Sequence, residues 1–122
     1  GVNTSWAAAD NIEYVASLEY FGGNLYAGTA SSTGDGDVWR FNGTAWTKIG
    51  GDGLNTGWPA STYELVASLA NDGTNLYAGL ANGNGDGEVW RYNGTAWTKI
   101  GGDGANSSWP TNFGDGVYAM SY

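Results

Sequence analysis

The chain is 122 residues long, with 22 Gly, 15% aromatic residues, only 13% charged residues and a net charge of −8. Four Lys plus Arg against twelve Asp plus Glu cannot displace the counterions of a nucleic acid or settle on an anionic membrane. With no Cys and no His, disulfides, thiolate or imidazole metal sites and His-dependent nucleophile pairs are excluded.

Abundant Gly combined with seven Trp and eight Tyr points to tight turns around packed aromatics rather than to disorder. No apolar run approaches the roughly 18–20 residues that a membrane-spanning helix needs. The chain opens on Gly1 with no recognisable leader, so a processed chain or an excised piece is expected. The patterns Asn3-Thr4-Ser5, Asn42-Gly43-Thr44, Asn93-Gly94-Thr95 and Asn106-Ser107-Ser108 match glycosylation acceptors and read better as turns. The compartment stays open, with a secreted or cell-surface place favoured.

In chain order, residues 1–13 read as the connection from a preceding repeat, because Trp6 belongs to a series with Trp58 and Trp109. Residues 14–64 form one repeat and 65–116 a second, while 117–122 begin a third. Laying 14–59 on 65–110, at an offset of 51, makes 32 of 46 positions identical, the mark of tandem duplication. Within the second repeat, strand A is expected at Val66 to Ala70, B at Asn75 to Leu80, C at Glu88 to Tyr92 and D at Ala96 to Ile100. All four are short, rich in β-branched and aromatic residues, and bounded by Gly, Asn or Asp. Asn93-Gly94 between C and D predicts a hairpin with a type I′ turn, which needs two positive φ angles. Asn71-Asp72-Gly73-Thr74 predicts a second hairpin. Val117 to Tyr122 predicts a third A strand. No segment carries a helical period.

Four antiparallel strands every 51 residues predict an all-β chain built from β-propeller blades, about two per chain. Propellers close with about four to eight blades, so the ring is expected to be completed by homo-oligomerisation, as a trimer or tetramer, or by a longer array. Trp39, Trp46, Trp90 and Trp97, exposed together on uncovered blades, would exceed the apolar patch a soluble monomer tolerates. Three A strands for two B–C–D sets leave one A strand redundant. Near-identical repeats and off-boundary ends suggest a fragment or an engineered sequence.

Leu76-Tyr77-Ala78-Gly79, then Glu88 to Asn93 and Trp97 to Ile100, resemble a kelch-type propeller repeat. Ala78-Gly79 departs from the glycine pair usual there. The Leu-Tyr strand, Ile100-Gly101, the glycine-rich connection and Trp109 are similar to tachylectin-type propeller lectins. The long B–C loop and tight C–D turn depart from that lectin pattern. These resemblances imply a propeller and, for the second family, glycan binding.

The long connections hold Asp52, Asn55, Trp58, Asp103, Asn106 and Trp109, once per repeat, on the face opposite the tight turns. Carboxylates and amides bond paired hydroxyls while an indole covers a sugar ring, so a multivalent carbohydrate-binding module is the leading expectation. The two indoles serve equally well as packing residues between blades. Arg40 and Arg91 could reach a ligand or act as stacking partners. The alternative is a protein-interaction or purely structural repeat. No cofactor is expected. Asn82, Asn84, Asp86 and Glu88 place oxygens at alternate positions, as calcium loops do, but without full ligand spacing, and the equivalent Ser31, Thr33, Asp35 and Asp37 are poorer. No enzyme is expected either: Asp35/Asp37 and Asp86/Glu88 are carboxylate pairs, yet their repetition argues for repeated binding rather than one active site.

Overall fold

The computed structural model describes residues 1–6, 14–31, 36–59, 65–81, 87–110 and 116–121. The described chain is all-β. Eight strands run in order: β1 (Tyr14–Phe21), β2 (Asn24–Ala30), β3 (Val38–Phe41), β4 (Trp46–Gly50), β5 (Leu65–Asn71), β6 (Leu76–Ala81), β7 (Glu88–Tyr92) and β8 (Trp97–Gly101). Strands β1–β4 and β5–β8 are two antiparallel meanders, and the pair Ala30↔Leu65 joins β2 to β5 in one curled sheet. The four strands expected in the second repeat form within a residue or so of their expected bounds.

Register repeats as faithfully as sequence. Leu25 faces Phe41 as Leu76 faces Tyr92, and Trp39 faces Lys48 as Trp90 faces Lys99. An extra residue bulges from β1 between Val15 and Ser17 and from β5 between Val66 and Ser68, sharpening the local twist.

The core lies between the meanders. Val66, Leu76 and Leu80 are fully buried beside Val38 and Trp58, each stabilising by about 1.5–3 kcal/mol through the apolar surface it removes from water. Close approach needs Gly28, where a Cβ would stand 2.7 Å from Val66 Cγ1 and 2.3 Å from Ser17 Oγ. Gly79 repeats this, its Cβ position lying 2.8 Å from Val117 Cγ1.

Three expectations change. The Asn42-Gly43 and Asn93-Gly94 hairpins form, but only Gly43 and Gly94 take positive φ. Asn42 Oδ1 accepts the amides of Thr44 and Ala45 at 2.9 Å, and Asn93 Oδ1 those of Thr95 and Ala96, so the side chain caps the turn and Asn keeps negative φ. Type I′ therefore does not apply there; paired positive φ occurs instead at Gly22-Gly23 in the β1–β2 hairpin. Residues 117–121 form no strand. Gly116 bridges Ala81 and the Val117 amide donates to Leu80 O at 3.2 Å, yet no further partner extends the ladder among the described residues. The four tryptophans form no bare patch either. Trp6 meets Trp39 and Trp46 edge-on at 5.7 and 5.5 Å, and Trp58 covers Trp90 and Trp97 at 5.8 and 5.1 Å. The exposed large apolar side chains gather instead on β1, at Tyr14, Val15, Leu18 and Tyr20, with Val2, Leu54 and Tyr118 exposed singly elsewhere among the described residues.

Candidate functional site

The connection after β4 is tightly tied. Its Gly-rich sequence lets the chain turn left-handed at Gly51, Asp52 and Gly53, and again at Asn55 and Thr56. Positive φ is costly for a β-branched residue, about 1–3 kcal/mol, and the surroundings must repay it. They do so with hydrogen bonds. Asn55 Nδ2 donates to Ile49 O at 2.9 Å, Thr56 Oγ1 donates across the interface to Trp97 O at 3.0 Å, and Gly53 N donates to Trp58 O at 2.7 Å.

The connection after β8 repeats the pattern. Asp103, Asn106 and Ser107 have positive φ, Asn106 Nδ2 donates to Ile100 O at 2.9 Å, and Gly104 N donates to Trp109 O at 2.8 Å. Asn3 and Thr4 carry the same geometry a third time, and Thr4 Oγ1 donates to Trp46 O at 2.8 Å.

Under each of these two loops a lysine links a buried carboxylate to one at the surface. Lys48 bridges buried Asp37 at 3.4 Å and exposed Asp52, while Lys99 bridges Glu88 at 3.0 Å and Asp103 at 2.5 Å. Burial by itself lowers the pKa of each lysine. The hydrogen bonds and charges of Asp52 and Asp37, or of Asp103 and Glu88, outweigh it and leave both above the ordinary value. Glu88 Oε2 also accepts Trp90 Nε1 at 2.6 Å. The shorter Asp37 leaves buried Trp39 Nε1 without a partner.

The residues singled out from sequence separate into two groups. Asp52 and Asn55, and likewise Asp103 and Asn106, share a loop within each repeat. Trp58 is only 1% exposed; its ring covers Trp90 and Trp97 and its Nε1 donates to Gly36 O at 2.8 Å, so its role is packing between the meanders. Trp109 keeps the matching bond to Gly87 O at 2.7 Å and is half-buried. Arg40 follows Trp39 and therefore points to the opposite face from Lys48. It opposes Tyr26 and Thr47, and its charge is felt by the Tyr92 phenol, which burial pushes up and Arg40 pulls down. Arg91 takes the equivalent register position, exposed.

Of the residues that tie the loops down, Lys48, Lys99 and the hydroxyls of Thr4 and Thr56 were not singled out from sequence, while Asp37 and Glu88 stood out only as oxygens of a calcium-like loop and as members of carboxylate pairs, not as lysine partners. Their signal was identity or near-identity of residue type at equivalent repeat positions. Asn82, Asn84 and Asp86, and Thr33 and Asp35 in the other copy, lie outside the described residues. Among the described residues no group of three or more acidic side chains is placed to hold a metal.

A concavity lies at the opposite end of the second meander from these loops. A cavity of about 430 Å³ is lined by Ala70, Asn71, Asp72, Tyr77, Ala119, Met120 and Ser121. Tyr77 OH donates to Asp72 Oδ2 at 2.6 Å, and the amides of Asn75 and Thr74 donate to Oδ1, holding that carboxyl down to about 2. Comparison with family models, with curated proteins and with solved structures yields no match to this chain.

Proposed function

We propose that the two meanders are consecutive blades of a β-propeller and that the protein is a multivalent carbohydrate-binding module. The blade reading is supported by the four-stranded antiparallel unit and by one repeat-to-repeat contact made twice. Ser17 Oγ donates to Val66 O at 3.2 Å, and Ser68 Oγ to Val117 O at 3.1 Å, one repeat later.

The binding reading is carried by one observation: the exposed Asp-Asn loop recurs with the same left-handed residues and the same amide-to-carbonyl tie. A rigid loop that presents a carboxylate beside an amide is suited to paired sugar hydroxyls, and repetition turns weak sites into avidity. Asp52 with Asn55 and Asp103 with Asn106 are the contacting groups in this proposal. Trp58, being buried, is not.

The test is a glycan array followed by titration calorimetry on the hits. The double substitution Asp52→Ala, Asp103→Ala is expected to lower affinity about tenfold or more while circular dichroism stays unchanged. The second reading, a structural or protein-interaction repeat, is favoured by the full commitment of Trp58 to packing. Absence of any glycan binding at millimolar sugar would select it.

A further inference from the structure

The three inner segments of the sequence stand in one register: Val15, Val66 and Val117; Leu18, Leu69 and Met120. Two of the three are seated. Val66 lies over Gly28 and Ser17 of the first meander, and Val117 lies over Gly79 and Ser68 of the second. The cross-strand links match as well, Ala30↔Leu65 and Ala81↔Gly116. Strand β1 is the exception. Val15 is 40% exposed where Val66 is 0%, and Leu18 is 59% exposed where Leu69 is 7%. Among the described residues no segment stands to β1 as β1 and β2 stand to β5.

We propose that β1 docks onto a second copy of this chain, seating in the groove over β5 and β6 that residues 116–121 hold in the isolated chain. This rests on the propeller reading and not on sugar binding. The groove accepts this residue series: it is lined by Gly79 and Ser68, the equivalents of the Gly28 and Ser17 that accept Val66. Strand β1 is also the better ligand for it. It is already ordered by pairing with β2 from Tyr14 to Phe21, whereas among the described residues 116–121 forms no strand and joins the sheet through the Ala81↔Gly116 bridge. Ordering cost of about 1–2 kcal/mol per residue is thus already met in β1 and falls on the tail each time it seats. The tail's advantage is its local concentration, so association competes with it and rises with protein concentration.

The loops at the junction exchange in the same way. Trp109, tied to Gly87 O, takes the place of Trp6 over Trp39 and Trp46 of the incoming copy, just as Trp58 covers Trp90 and Trp97. Each copy thereby offers one face and receives another, a heterologous contact that closes into a ring when the rotation allows.

Sedimentation velocity of the full chain, from low micromolar to millimolar concentration, tests the proposal, with tryptophan circular dichroism followed in parallel. Association is expected. Leu18→Glu should weaken it about tenfold or more, since that exposed side chain becomes buried only at the junction. Val117→Asp, which loosens the tail, should strengthen it. A monomer at every concentration, or association indifferent to Leu18→Glu, overturns the proposal. If such a monomer keeps the coupled signal of Trp58 with Trp90 and Trp97, copy docking alone is rejected and the blade reading stands. If that signal is missing, both fall.

Discussion

At the scale of single residues, one methylene separates two otherwise matching charge clusters. Glu88 reaches both Lys99 and Trp90 Nε1, while Asp37 binds Lys48 and leaves the Trp39 indole nitrogen without a partner. Asp37→Glu should therefore stabilise the chain, by about 0.5–1.5 kcal/mol for the bond gained, read as a higher urea midpoint. Asp72 offers a pH signature. Its folded pKa of about 2 lies below the ordinary aspartate value, chiefly through the Tyr77 hydroxyl and then the amides of Asn75 and Thr74. Its contribution to stability is complete above about pH 4 and disappears as pH falls through about 2. Carboxyl carbon shifts should show the late titration, and Tyr77→Phe should move it upward. None of this was legible in sequence, because Asp37 and Glu88 count as equivalent until a reach is measured.

At the scale of elements, hairpins were readable because their chemistry is local. Gly43 and Gly94 sit where positive φ is required, and Asx caps need only the neighbouring amides. The turn type was missed because Asn can serve a turn either by its own backbone angle or through its side-chain oxygen. Gly28 illustrates the opposite case: it sits inside β2, and the close approach of Ser17 on β1 and Val66 on β5 explains it. Gly28→Ala should cost about 1–3 kcal/mol, since Ser17 and Val66 leave no room for a Cβ. The same change at Gly79 meets Ser68 of β5 in the same way, but on its other side it meets the tail at Val117 rather than a strand, and it should cost less in thermal melts.

Across the whole molecule, stability depends on the joint between the meanders, and Trp58 is its centre. It is buried, hydrogen-bonded to Gly36 O and set edge-on against two further indoles. Trp58→Ala should cost about 3–5 kcal/mol and remove the share of the coupled tryptophan signal due to Trp58 with Trp90 and Trp97, leaving that of Trp6 with Trp39 and Trp46. Trp109→Ala, at the half-buried equivalent position, should cost much less. Equal losses at the two positions in denaturant unfolding would contradict this account of the joint.

The sequence by itself determined the all-β character, the 51-residue period, the strand bounds and the hairpins, because alternation and turn chemistry act over a few neighbouring residues. It also marked the loops that carry Asp52, Asn55, Asp103 and Asn106. Tertiary structure alone decided that Trp58 packs rather than presents its face and that residues 117–121 stay outside the strand ladder. It also decided that β1, rather than a set of tryptophans, carries the exposed apolar surface. Each of these outcomes depends on what one repeat places against the next, and contacts between repeats are not encoded in any window of adjacent residues.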